Sequence, residues 1–515
     1  MSANVITTLR ERLELEEQID DLLSLQSEQA FLEEAHRIAE NNAHVVPVIL
    51  RNLAEADPRK LNVLGVIASM YPHHQEILNK LYETAADEER TDRERVSAML
   101  ILERFLDEHP DPYLLQTLEN PRAVAIESVK DLLAASEQEP AVLIDYTRAL
   151  SEQSIESVYG VIETLLEIGE ERAVPVLQMI AQIENDAMAD TALLALGQIR
   201  HPTAVQGLQS LMPQLAPSRR ALLERSLRKL QFSGVPVAPK PPVDPAWRAL
   251  VSPVDGQGQQ VVWFIHAPDP SGRCSFLGVA LNDREGMIQA YGNPNVPASA
   301  LPDRGRPGYL HRVPMQLAGP SDAQDSNARS VFYMIEAELD YGRRIVEQAQ
   351  AQCFELGRPL PVSYRLLGPQ IWRYDTTSVA QSREDPPVPV QTMDLIQQTA
   401  SLPYHPFFQG WVISGPDVAE IAGMMSSLII SQDREVLRTW AAKLAERTYN
   451  KEKLEQLAER LRAMSEWLWR TEQVSLVELS TTAANTVTEM PPDRHPLIVS
   501  MAELGLNIML HSKGD

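Results

Sequence analysis

The sequence predicts a multidomain chain: an all-α array of short helical hairpins, then an α+β domain of antiparallel strands plus a long helix, then a C-terminal helical bundle. Three observations carry this. One apolar pattern returns after 31 positions, a proline-rich stretch interrupts the chain near residue 240, and beyond it helical periodicity gives way to β-branched and aromatic runs. The expected boundaries are 1–232 for the repeat array, 233–246 for a Pro-rich linker and 247–383 for the α+β domain. A Pro-rich break and connector follows at 384–400, and a helical region at 401–515.

The repeat comes first. Leu165, Ile168, Ala173, Val174 and Leu177 reappear as Leu196, Ile199, Ala204, Val205 and Leu208, each displaced by 31 positions. A further step brings Leu227 and Leu230 into register, and a step back with a one-residue slip matches Leu133, Ala141 and Val142. Within each unit the apolar residues fall at helical spacing on two short segments separated by polar or turn residues. A lone hairpin of this kind cannot bury both faces, so it must stack on neighbours. Weaker copies run upstream, as in Val63, Leu64, Ile67 and Met70 before Pro72, and Ala98, Leu100, Leu102 and Phe105 before His109. About six or seven hairpins fit between residues 30 and 231.

These repeats resemble HEAT repeats, specifically the short HEAT-like kind of the phycobilisome lyases. The resemblance rests on the two strong units and covers less than half of the chain. It implies a superhelical solenoid. The family's inter-helix turn, often Gly-Asp-Pro, is altered: one turn keeps Gly169 but continues Glu170-Glu171, and the other keeps Pro202 but begins Arg200-His201.

The array closes on Arg219, Arg220, Arg225, Arg228 and Lys229, which read as the solvated face of a capping helix or, functionally, as a small patch for an anion or acidic partner. Prolines 236, 239, 241, 242 and 245 then forbid helix and favour an extended, semi-rigid spacer. Next, Gln259–Ile265, Cys274–Leu281 and Met287–Tyr291 alternate with turn residues and predict a meander of antiparallel strands. A long helix is expected over about Ala328–Leu356, stopped by Gly357-Arg358-Pro359. After the break at Asp385–Val390, Pro403–Gly415 is aromatic-rich. Trp440, Leu454, Leu457, Leu461, Met464, Leu468, Val477 and Leu479 then mark three helices, with Ile498, Met501 and Leu504 on a last one. The strand pair followed by a helical bundle resembles segments attached to HEAT arrays in bacterial proteins.

Composition narrows the function classes. A net charge of −25 opposes general nucleic-acid binding and docking on anionic lipid, both of which need Lys and Arg. Two cysteines, Cys274 and Cys353, are too few for a disulfide framework or a cysteine-rich zinc site. Arg10, Glu11 and Arg12 stand where a signal peptide has its apolar core, and no uninterrupted apolar run reaches membrane-spanning length, so a cytoplasmic protein is expected.

No phosphate-binding loop, dinucleotide fingerprint, His-Glu-x-x-His or Gly-x-Ser-x-Gly pattern occurs. No catalytic, cofactor or metal residue is therefore assigned. Asp255-Gly256-Gln257-Gly258 lacks a third glycine and reads as a hairpin turn. Asp303–Gly308 sets glycines beside Arg304 and Arg306, a candidate anion-binding loop. Trp263, His405 and Trp411 are candidates to line a ligand pocket.

The reading that follows is a non-enzymatic protein-interaction scaffold or adaptor working through the concave face of the array. Its expected contact residues are Gln178, Met179, Gln182, Gln206 and Gln209, exposed on second helices. Basic or helical segments of a protein are the expected partners, with no nucleic acid, no membrane and no cofactor. The alternative is a small-ligand binder or enzyme with its site in the α+β region. Bilin-lyase-like activity, implied by the resemblance alone, is a minor variant.

Overall fold

Polar caps set where the array's helices begin. Asp57 accepts a hydrogen bond from the Lys60 amide at 2.8 Å, Asn120 from Ala123 at 3.0 Å, and Thr91 forms a reciprocal capping box with Glu94. The computed structural model describes residues 3–23, 28–41, 44–55, 57–111, 113–314, 331–375, 386–427 and 434–512, and the chain divides into two units. The first comprises residues 1–181 and 191–201; the second comprises 182–190 and 202–515.

The first unit contains α1 (Ala3–Leu22), α2 (Glu28–Asn41), α3 (Val45–Asn52), α4 (Pro58–Met70), α5 (His74–Ala86) and α6 (Asp92–Phe105). It continues with α7 (Tyr113–Gln116), α8 (Pro121–Gln138), α9 (Val142–Ser151), α10 (Ile155–Ile168) and α11 (Ala173–Ile180). α12 (Asp186–Leu196) crosses the division. First helices pack on first helices: α2 on α4, α4 on α6, α8 on α10. Second helices do the same, α3 on α5 and α9 on α11. Ile38, Val48, Leu64, Ile67, Leu81 and Leu102 belong to one continuous apolar cluster along this stack. Leu165, Ala173, Val174 and Leu177 of the repeat are buried, as are their counterparts Leu196, Ala204, Val205 and Leu208. α10 ends on Gly169 at φ 63°, a left-handed position that glycine adopts without strain. Arg95 is buried and donates to the Ala85 and Thr117 carbonyls, both at 3.0 Å, tying α6 to the segments on either side.

The second unit opens with α13 (Pro202–Leu211) and α14 (Pro217–Phe232). The proline-rich segment contains neither helix nor strand, and bonds to its own unit hold it in place. Lys240 Nζ donates to the Trp372 carbonyl at 2.9 Å, the Asp375 amide to Pro241 at 2.7 Å, and Gln209 to Ala238 at 2.9 Å. The sheet has β1 (Trp247–Val251), β2 (Gln259–His266), β3 (Arg273–Asn282), β4 (Gly286–Pro297), β5 (Leu310–Pro314) and β6 (Val331–Ala337), all antiparallel, in the order β4-β3-β2-β1-β6-β5. Then come α15 (Leu339–Glu355), α16 (Val362–Trp372), α17 (Met393–Gln398), α18 (Pro416–Ser427), α19 (Arg434–Thr448), α20 (Lys451–Arg470), α21 (Val474–Thr486) and α22 (Pro496–Ser512).

Two sequence expectations are corrected here. The long helix over Ala328–Leu356 begins at Leu339; Val331–Ala337 is strand β6, and residues 328–330 lie outside the described set. β1, β5 and α16 were not anticipated. β1 is buried on both faces, so it shows no alternation of polar and apolar residues.

One face of the sheet carries Ala249, Val251, Val262, Phe264, Leu277, Val279 and Ile335. These belong to a single cluster that continues through α15 and α16 to Leu444, Leu461, Trp467, Val477 and Leu506. The bundle and the sheet thus share one core. Trp467 Nε1 donates to the Val251 carbonyl at 2.8 Å and Trp411 Nε1 to Val254 at 3.1 Å, so the buried indoles also satisfy strand-end acceptors. His495 is fully buried before α22, with Nε2 2.9 Å from Thr486 Oγ1, and burial pulls its pKa down to about 4. The other face holds a smaller cluster around Leu250, Trp263, Phe276, Val313 and Met334. There Gly278 leaves room for the Tyr291 ring, whose hydroxyl accepts from Trp263 Nε1 at 2.8 Å; a Cβ at Gly278 would lie 2.5 Å from that ring.

Candidate functional site

In the first unit, the spacing of α6 sorts its residues onto two faces. Ala98, Ile101 and Leu102 point into the core, while Arg93, Val96, Leu100 and Arg104 line a groove. The opposite wall comes from α8 and α9, through Val124, Asp131, Leu132, Val142 and Tyr146; Leu61 and Val63 of α4 and Phe31 of α2 complete it. The cavity measures about 510 Å³, within the range of ligand and side-chain pockets. Leu61, Leu100, Phe105 and Val124 are only partly buried, so the groove presents aliphatic and aromatic surface. Phe105 lies flat on α4 because Gly65 has no Cβ; one built there would be 2.3 Å from the ring.

The charges along the groove are mostly committed. Arg93 bonds Glu127 at 2.8 Å and Asp131 at 2.5 Å, and Arg59 pairs with Glu139 at 2.7 Å. Burial pushes the Asp131 carboxyl above its usual range, against the pull of Arg93. Burial also pushes the Tyr146 phenol up to about 12, keeping it protonated and able to donate. Arg104 is exposed and has no carboxylate partner among the described residues.

The residues expected to form the contact face lie elsewhere. Gln178 and Gln182 are buried rather than exposed, and Met179 is fully buried with its sulfur 3.6 Å from Thr147 Oγ1. Gln182 donates to the Arg365 carbonyl at 3.3 Å, a partner 183 residues away that local spacing could not reveal. Gln206 is exposed as expected, and Gln209 is half-buried against Ala238. α11 therefore contributes core at the positions read as surface.

The Arg304/Arg306 loop is built around a buried acid. Glu336 Oε2 accepts from Arg248 at 2.9 Å, from His311 Nε2 at 2.8 Å and from the Gly305 amide at 3.3 Å. Arg248 also donates to the Pro302 and Asp303 carbonyls. The loop's backbone donors are thus turned inward on Glu336, and Arg304 is held by the Pro245 carbonyl at 2.8 Å. Arg304 and Arg306 are both exposed, with one Arg304 donor taken by the Pro245 carbonyl, so the Gly305 amide is the group withdrawn from an anion. Of the aromatic pocket candidates, Trp263 and Trp411 are fully buried with satisfied indoles. His405 Nδ1 accepts from the Phe407 amide at 3.2 Å, and Phe407 packs edge-on against Tyr333 and Trp467. This joint is filled by its own rings.

Both cysteines are unpaired and buried, and burial pushes both thiols up, which makes them poor nucleophiles. Among the described residues no cluster of His, Cys, Asp and Glu is arranged to hold a metal ion, and no helix is long and apolar enough to cross a membrane. No family model, curated protein or solved structure matches the chain.

Proposed function

We propose that the first unit is a HEAT-like solenoid serving as a protein-interaction scaffold, and that its binding surface is the groove between α4, α6, α8 and α9. The observation that carries this reading is the groove itself: about 510 Å³ walled by partly buried Leu61, Leu100, Phe105 and Val124. Partly exposed aliphatic and aromatic side chains in a concavity gain most from contact with another apolar surface. The stacking of like helices supports the solenoid, because such stacks leave one row of helices to line a continuous surface.

Of the cations lining the groove, Arg59 and Arg93 are paired with carboxylates and Arg104 has no carboxylate partner among the described residues. The fitting occupant is an amphipathic helical segment that inserts apolar side chains between α6 and α8 and sets one carboxylate against Arg104. This places the contact some 80 residues earlier in the chain than Gln178.

A photo-reactive amino acid at Leu100 of the full chain tests the reading in native extract. The expected result is cross-linking to a helical segment of one partner, lost in Arg104→Glu and in Leu61→Arg with the far-ultraviolet dichroism unchanged. Capture from Gln206 but not from Leu100 would move the interface to the later repeats. Capture that survives both substitutions, or none at all, would overturn the groove as the functional surface.

A further inference from the structure

The second unit contains a larger cavity that the scaffold reading does not use. It measures about 610 Å³ and lies between the ends of β2 and β3 and helices α15, α20 and α21. We infer that this cleft is a binding site for a small, uncharged, polyhydroxylated ligand.

Its charges are spent on one another. Arg460 grips the Asp283 carboxylate through two nitrogens, at 2.5 and 2.9 Å, and also donates to the Gly256 carbonyl. Arg344 pairs with Glu466, and Arg462 with Glu459. Three guanidiniums facing three carboxylates leave a neutral wall. A charged ligand seated against Arg460–Asp283 or Arg344–Glu466 would have to break that pair and strand the partner in a partly desolvated cleft, whereas Arg462–Glu459 is exposed at the rim.

The side chains that line the cavity without any hydrogen bond among the described residues are neutral. Gln348 and Gln352 stand one turn apart on α15, and Thr481 and Asn485 stand one turn apart on α21. Residues four apart on a helix share a face, so each helix contributes a two-rung polar ladder to the same cavity. None of the four side chains has a hydrogen-bond partner among the described residues. Thr481 is the decisive member. It is 92 % buried (8 % exposed), and its hydroxyl has no partner, although a helical threonine ordinarily has the carbonyl four residues back within reach. Arg344 Nε on the same wall is also buried and unpartnered. Both residues line the cavity, and unsatisfied polar atoms just beneath a cavity wall mark positions where a ligand can supply the missing bonds.

Ligand chemistry follows from the groups present. Amides and hydroxyls both donate and accept, which matches sugar or polyol hydroxyls that do the same. The apolar part of the lining is aliphatic (Val254, Leu281, Ile345, Ala349, Val388) and contains no aromatic ring, so no platform exists for a flat base.

Saturation-transfer NMR on the full-length protein tests this with trehalose, sucrose and sorbitol as neutral probes and glucose 6-phosphate and spermidine as charged ones. A neutral probe should bind at millimolar concentration and the charged probes should not. Gln348→Ala, a solvent-facing change that leaves folding intact, and Thr481→Val should each weaken binding about tenfold. Thr481→Val should leave the unfolding midpoint unchanged or higher, since it removes an orphaned hydroxyl. Absence of binding by every neutral probe, stronger binding by a charged one, or indifference to both substitutions would overturn the inference. None of these results bears on the groove in the first unit.

Discussion

The two units bury their apolar residues by different rules. In the first unit most helix contacts run to the next helix or to the one after it, with α4 on α8 as a longer step, so the cluster from Leu15 to Leu106 is assembled from short segments of chain. In the second unit one cluster joins Trp247 to Leu506, and single residues such as Trp467 bridge the first strand and the third-last helix. The first arrangement should confine damage and the second should spread it. Four perturbations test that contrast.

The largest effect is expected from Trp467→Ala. It removes a fully buried indole and leaves the Val251 carbonyl unpaired, at a cost of about 3–5 kcal/mol. Hydrogen exchange should accelerate across β1, α20 and α21 together while the array stays protected. Acceleration limited to α20 would break the contrast.

Lowering the pH should act next, through His495 of the second unit. His495 resists protonation in the fold down to about 4, whereas in the unfolded chain it takes up a proton near 6.5. Between those values the unfolded state binds more protons, so stability falls as the pH drops through the window, by roughly 3 kcal/mol at its lower end. His495→Asn should flatten the dependence measured by urea unfolding between pH 7 and 4.5.

Arg95→Met strips the donors from a buried and a part-buried carbonyl in the first unit and should cost about 2–3 kcal/mol. Here the faster exchange is expected only around α5, α6 and α7. Spread into α10 and α11 would show that the array is as cooperative as the sheet unit. The smallest change is Gly65→Ala, about 1–3 kcal/mol, because the Phe105 ring must lift off α4. Lifted, the ring intrudes on the groove, so the cross-linking yield at Leu100 should fall more than the stability does.

The same contrast explains what was legible in the sequence. Hairpins are written locally: a repeated Leu or Ala, a Thr91–Glu94 box and a Gly169 stop each lie within a few residues of the structure they specify. The strands β2, β3 and β4 were legible because turns such as Asn282–Gly286 bound them. β6 was not. Val331, Ile335 and Leu339 are spaced by four, as in a helix, and Phe332 and Met334 on the other face mask the alternation. The burial of Gln178, Met179 and Gln182 was missed for a related reason. Periodicity shows that α11 has more than one apolar side but not what covers it. The groove was not read either: Leu100 and Phe105 stood as hairpin core, and only α8 and α9, folded opposite, leave them lining a concavity with Arg93, Val96 and Arg104.

The bond between Trp467 and Val251 has a consequence for synthesis. The two residues are 216 positions apart. A ribosome adding about 5–20 residues per second delivers the second about 10–40 s after the first. Each hairpin of the array can dock on its predecessor as soon as it leaves the exit tunnel. Helix α15 can cover part of β1 and β2 less than halfway through that interval, but the Val251 carbonyl and the core surface completed by Trp467 wait for all of it, and until then the nascent chain is exposed to chaperones and to its own neighbours on a polysome.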